Sequence, residues 1–181
     1  MQAELDAPSA WVRRWTAIVP PGEVLDLACG RGRHARFLAG NGFRVTALDR
    51  DAEALRALQG VEGVVTVLAD LEDGSPWPLA ARRFSGIVVT NYLHRPLFPL
   101  LRAALEDGGV LIYETFMAGN ENYGKPSNPE FLLRPGELFF GLGDGLSVLA
   151  FEQGRVLSPR KAMIQRICVR RGDFADLPAG S

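Results

Sequence analysis

The stretch VLDLACGRGRH, residues 24–34, decides how the rest of the chain is read. Its first four residues suit a buried parallel strand, the small residues after them let the backbone turn tightly, and a helical pattern begins after Gly32. A strand that runs through a glycine turn into a helix leaves free amide N–H groups at the helix start, which suits a nucleotide or another anion. Asp26 lies inside the strand, where an ionised carboxylate is costly unless a ligand or a structural partner compensates it. We read it as an anchor for amides of the turn, close to the positive end of a ligand.

Working outward, Pro8 and Ser9 start a short helix that repeats Trp11, Trp15 and Ile18 on one face and stops at Pro20 and Pro21. The two tryptophans read as core residues rather than a substrate platform. After the opening turn, a helix over 34–39 ends at Gly40 and Gly42, and the strand FRVTALD ends at Asp49. Asp51 caps a helix with Ala54, Leu55 and Leu58 on its apolar stripe, and the strand VVTVLAD ends at Asp70. Residues 71–83, with Pro76, Trp77 and Pro78, exclude regular structure and lead into a fourth strand, FSGIVVTN. A helix from about Pro96 carries Leu97, Leu100, Leu101 and Leu105 and ends at Asp107-Gly108-Gly109, before a fifth strand, VLIYETF.

Strand and helix thus alternate, which predicts an α/β fold with a doubly wound parallel sheet covered by helices on both faces. Residues 118–129, rich in Asn, Gly and Pro, follow the fifth strand where such sheets carry ligand-facing loops. Pro135 starts a short helix, and LSVLAFEQG and AMIQRICVRR lie too close in sequence for a crossover, so they pair antiparallel. One domain is expected over 1–171, with 1–21 packing on it as a helical segment and 172–181 as a disordered tail. The group Arg166, Arg170 and Arg171 reads as the solvated end of a strand.

Bulk properties exclude several classes. Among 181 residues, 20 basic and 21 acidic side chains leave a net charge of -1, so no overall field attracts a polyanion and nucleic acid is not an expected partner. Cys29 and Cys168 offer neither a disulfide framework nor metal-ligand spacing, and we expect no metal. Glu4 and Asp6 replace the basic start of a leader peptide, and no run approaches the ~20 apolar residues of a membrane span. The expectation is a cytoplasmic protein that does not contact a membrane.

The turn by itself leaves two ligands open. Gly30-x-Gly32-x-x-Ala35 fits the dinucleotide fingerprint, with Asp49 about 20 residues on as the ribose acid, and this is the reading of an NAD-dependent oxidoreductase. The same stretch resembles the first motif of class I S-adenosylmethionine-dependent methyltransferases, whose core is D-x-x-x-G-x-G, and the resemblance extends over nearly the whole chain. Asp26 within the strand and the antiparallel ending favour the methyltransferase. The resemblance implies a Rossmann-like, mostly parallel seven-stranded sheet with an antiparallel last strand, and S-adenosylmethionine as cofactor with S-adenosylhomocysteine as product. It implies a cofactor site of Asp26, Ala28, Gly30, Gly32, Arg33 and His34 from the first motif. Asp49 and Arg50 follow at the ribose, Asp70 and Leu71 at the adenine, and Asn91 at the methionine half.

The later runs NYLHRPLFPLL and YETFMAGNENYGKPSNPEFLLRPGEL resemble small bacterial methyltransferases of the tellurite-resistance-like group. That likeness implies a catalytic cleft lined by Tyr92, His94 and Arg95 after the fourth strand, Glu114 at the end of the fifth, and Tyr123 in the following loop. His94 and Glu114 are the candidate bases for an acceptor that must lose a proton, with capping the next helix the plainer role for His94. Arg95 is expected to pair with a substrate or cofactor carboxylate, or with Glu114. The expected function is methyl transfer to a small-molecule acceptor by in-line displacement. The alternative from another class is a non-catalytic S-adenosylmethionine-binding module that regulates a partner.

Overall fold

The structure, a computed structural model, describes residues 7–178. In chain order they form α1 (Ala10–Thr16), β1 (Glu23–Leu27), α2 (Arg33–Gly40), β2 (Arg44–Asp49), α3 (Ala52–Arg56), β3 (Val64–Leu68) and β4 (Phe84–Thr90). There follow α4 (Phe98–Ala103), β5 (Leu105–Phe116), α5 (Glu137–Leu142), β6 (Ser147–Val156) and β7 (Ala162–Arg170). The strands make one sheet in the order β3-β2-β1-β4-β5-β7-β6. The first five are parallel, and β7 inserts antiparallel between β5 and β6. The strand order reverses between β1 and β4, which opens a crevice beyond the carboxyl ends of the parallel strands.

Two apolar cores flank the sheet. On one face Trp11 and Trp15, edge to face at 5.5 Å, pack with Leu38 and Leu55 against Val24, Val88 and Ile112. On the other, Phe98, Leu101, Leu138 and Leu142 pack on Leu25, Ile87, Leu111 and Tyr113. Every residue of β4 is buried, because it lies in the middle of the sheet under both layers. This is the expected doubly wound arrangement, with one exception at the β3 edge. No helix forms between β3 and β4, as the prolines there require, so Val65 stays 64% exposed and the edge lacks the cover expected on both faces.

Two further boundaries differ from the sequence expectation. The helix after β4 ends at Ala103, and Leu105 already pairs with Phe84 in the sheet. The Asp107-Gly108-Gly109 turn is therefore part of an irregular start to β5, with Gly108 at φ +78°. The tail expected to be disordered begins tied to the sheet. Ser147 Oγ donates to the Gly172 carbonyl at 2.6 Å, and Arg170 Nη1 donates to the Asp173 carbonyl at 2.8 Å. The expectations for 1–6 and 179–181, the acids Glu4 and Asp6 included, lie outside the described residues.

Candidate functional site

The turn after β1 is held by the end of β2. Cys29 N–H donates to the Leu48 carbonyl at 3.0 Å, and Gly30 N–H donates to Asp49 Oδ2 at 2.7 Å. The other oxygen of Asp49 accepts the Asp51 N–H at 2.9 Å, so one carboxylate fixes both the turn and the start of α3. The two glycines of the motif serve different ends. A Cβ on Gly30 would meet nothing within 4 Å, which leaves the backbone open to a ligand. A Cβ on Gly32 would lie 2.3 Å from Leu58 Cδ2, so that glycine lets the start of α2 approach the Leu58 side chain just beyond α3.

Asp26 is buried and accepts the Ala35 N–H, while its Oδ2 has no hydrogen-bond partner. Burial pushes its pKa up to about 7, against the opposing pull of that bond and of Arg33. Asp26 lines neither of the cavities described below, but a buried carboxylate oxygen without a donor, one residue before the end of β1, fits the ammonium end of an amino acid.

Ala28 at φ +54° and Asn91 at φ +55° are the two non-glycine residues in the left-handed region among those described. They follow the two strands between which the order reverses, and both line a cavity of about 350 Å³. Asp49, Arg50, Asp70, Leu71 and Tyr92 line it too, and Pro126 and Phe131 close over it from the loop after β5. Arg50 lies 3.8 Å from Asp70. The Tyr92 hydroxyl bonds the Glu72 carboxylate, and burial together with that charge pushes the phenol pKa well above its usual range.

A second cavity, of about 730 Å³, shares Asn91 and Phe116 with the first. Glu114 lies in its wall, and both of its oxygens are engaged. Ser9 Oγ donates to Oε1 at 2.8 Å, and Arg166 Nη1 lies 3.3 Å from Oε2. Ser9 also links α2 and β4 through His34. Its N–H donates to Nε2 at 3.1 Å, which leaves the ring proton on Nδ1, facing Thr90 Oγ1 at 3.3 Å. Burial holds this imidazole neutral, with its pKa lowered to about 3.

The expected site residues therefore divide. Ala28, Asp49, Arg50, Asp70, Leu71, Asn91 and Tyr92 converge on the smaller cavity, while Arg33 and Glu114 line the larger one. His34 is a buried structural link that lines neither. His94 starts the short 3-10 turn Arg95–Leu97 and faces a side cavity with Trp77 and Leu100. Arg95 is bound to Glu137 and to the carbonyls of Glu130 and Leu132, so Glu114, which pairs with Arg166, is not its partner. Tyr123 is 40% exposed and lines none of these cavities. Among the described residues no group of His, Cys, Asp and Glu could hold a metal ion, and no helix is long and apolar enough to cross a membrane.

Some contributors escape a sequence reading. Ser9 was legible only as a helix cap, and Arg166 looked like the end of a solvated strand although it bridges Glu114 and Glu152 from the middle of β7. Arg170 and Arg171 are likewise bonded, to the carbonyls of Gly108 and Arg102. The contacts to Glu114, Gly108 and Arg102 join residues more than 50 positions apart, which no local pattern encodes.

Comparison with known proteins agrees with this geometry. The crystal structure of TehB from Haemophilus influenzae superposes with a TM-score of 0.73 at 19% identity, over 91% of this chain and 63% of that one. An S-adenosylmethionine-dependent methyltransferase from Mesorhizobium loti gives a TM-score of 0.68 at 16% identity, over 90% and 99%. The fold is that of the S-adenosylmethionine-dependent methyltransferases. In sequence, the profile of the tellurite resistance protein TehB family matches residues 4–73. A protein-L-isoaspartate O-methyltransferase from Chlorobaculum tepidum is 37% identical over 97 residues, which is 52% of this chain and 45% of that protein. The chain is thus similar to these methyltransferases in sequence over part of its length and spans about half the length of the isoaspartate enzyme. The TehB match covers the turn, Asp49 and Asp70 and stops before β4.

Proposed function

We propose that the protein transfers a methyl group from S-adenosylmethionine to a small-molecule acceptor. The observation that carries this reading is the meeting of two cavities at Asn91 and Phe116. The smaller has a carboxylate at or just beyond the end of each of two neighbouring strands, Asp49 and Asp70, which suit the hydroxyls of a ribose and the amino group of an adenine. The larger is free to take a second molecule.

Bound S-adenosylmethionine would supply a methyl group already activated by a sulfonium, so no nucleophile of the protein is required. The chain's own residues have three tasks. Asp49, Asp70 and Leu71 hold the nucleoside, and the unpaired oxygen of Asp26 fits the amino group of the methionine half. Asn91 and Phe116, common to both cavities, keep the two ligands in contact and exclude water between them, which serves an in-line displacement. Glu114 is the carboxylate on the acceptor side, placed to take the proton of a hydroxyl or ammonium acceptor; a thiolate needs none.

Calorimetric titration with S-adenosylhomocysteine and with NAD tests the first task. Micromolar binding of the former and none of the latter is expected, and binding of NAD alone would overturn the reading. Incubation with methyl-labelled S-adenosylmethionine and fractionated metabolites tests turnover. Donor binding without a labelled product in any fraction would favour a regulatory module.

A further inference from the structure

The larger cavity carries more positive charge than this chain has to spare. Among the described residues, Arg13, Arg33, Arg160 and Arg166 line it against the single carboxylate of Glu114, in a protein whose net charge is -1. Two of the four are committed: Arg166 to Glu114 and Glu152, and Arg33 to contacts that include the Ala7 carbonyl. The other two stand at the mouth with donors to spare. Arg13, on α1, is exposed and has no ion-pair partner among the described residues. Arg160, between β6 and β7, makes one long contact of 3.5 Å to the Lys125 carbonyl and lies 5.1 Å over the Phe116 ring. The same cavity has an apolar part to its wall, with Phe116, Val156 and Ile164.

We propose that the acceptor is an organic acid, its carboxylate or phosphate held by Arg13 and Arg160 and its carbon skeleton laid along Phe116, Val156 and Ile164 toward Asn91. A planar guanidinium binds either oxyanion through paired N–H donors, and two guanidiniums left without carboxylates at one opening gain a counter-ion when such a group arrives. An apolar wall below a cationic rim selects against a fully hydrated inorganic anion, which would strip water without burying carbon. The volume, about 730 Å³, is that of a metabolite site rather than of a polymer groove. The proposal rests on the methyltransferase reading for what happens to the acid, and on the cavity alone for its binding.

The test uses matched probes. Trp11 lies under Arg166 at 4.7 Å and its indole N–H donates to the Ile167 carbonyl, so its NMR signal reports on this wall without turnover. The full-length protein is titrated with 3-phenylpropionate, with phenyl phosphate and with neutral 3-phenylpropanol. One or both acids should shift that signal saturably, at least about tenfold tighter than the alcohol, and the better acid names the anionic group. In R13A/R160A that preference should fall to about threefold or less, with S-adenosylhomocysteine affinity and thermal midpoint retained. Acid and alcohol binding equally, a preference that survives R13A/R160A, or S-adenosylhomocysteine binding with no acid bound at ~10 mM would each overturn the proposal. Acid binding without S-adenosylhomocysteine binding would instead sink the methyl-donor reading and leave the acid site standing.

Discussion

The Gly30 amide donates to Asp49 Oδ2 at 2.7 Å, so the acid at the end of the second strand shapes the turn after the first. Asp49 is therefore two things at once in the proposed site: a ribose acceptor and the anchor of the turn against which the rest of the nucleoside lies. Its second oxygen, on the Asp51 amide, adds the start of α3 to the same unit.

Asp49→Ala should accordingly lower stability as well as binding. Two charge-assisted hydrogen bonds to backbone amides disappear at a partly exposed site, a loss of about 1–3 kcal/mol in unfolding free energy, read as a lower midpoint of chemical unfolding. S-adenosylhomocysteine affinity should fall by at least about tenfold, read by calorimetry. A variant with weakened binding and an unchanged midpoint would mean that the turn holds itself.

Asp26 and His34 make opposite contributions to the pH dependence of stability. Asp26 titrates at about 7 in the folded chain against about 3.8 unfolded, so between those values the folded state holds one more proton and stability falls as pH rises. His34 titrates at about 3 folded against 6.5 unfolded, so over that range the unfolded state holds one more proton and stability falls as pH drops. Between about pH 4 and 6.5 the two slopes oppose and nearly cancel. Asp26→Asn should expose the histidine slope, with stability rising by up to about 1.4 kcal/mol per pH unit, and His34→Gln should expose the opposite one. Urea midpoints measured at pH 4.5, 5.5 and 6.5 check this, and parallel profiles in all three proteins would refute it.

Arg95 fastens the loop that closes the smaller cavity. It binds Glu137 at the start of α5 and the carbonyls of Glu130 and Leu132, on either side of Phe131. Glu137→Ala should release that end of the loop, raise amide exchange over residues 126–133 and weaken S-adenosylhomocysteine binding about three- to tenfold. In a double-mutant cycle with Arg95→Ala the pair should couple by about 1–2 kcal/mol, since it is only partly exposed and hydrogen-bonded. Unchanged exchange in the loop would detach the pair from the cavity.

How far the sequence leads follows from the range of each interaction. Five parallel strands, the antiparallel ending and the acids Asp49 and Asp70 are written in local patterns: apolar runs, turn residues, and a short return too brief for a crossover. The acceptor side is not, because it is assembled from α1, β5 and β7. Ser9, Glu114 and Arg166 stand at least 52 residues apart in sequence, and they meet only once β7 has inserted beside β5. His94 and Arg95 show the converse. Their place after β4 suggests the cleft, but Pro96 turns the chain at once into a 3-10 turn, which directs Arg95 to Glu137 and His94 to the side of Trp77.

Gly32 provides the sharpest test of the turn itself. At φ +79° any other residue is strained by about 1–2 kcal/mol, and a methyl group at this point meets Leu58. Gly32→Ala should therefore cost more than strain alone, about 2–4 kcal/mol, while Leu58→Ala by itself costs about 2–5 kcal/mol by leaving a cavity. In the double variant the alanine at 32 occupies part of the space that Leu58 vacated, so the two losses should sum to at least about 1 kcal/mol less than their separate values. Denaturant unfolding of the four proteins closes the cycle. Additive losses would mean that the glycine is required by its backbone angle only, and that the approach of Leu58 to the start of α2 does not depend on the missing side chain.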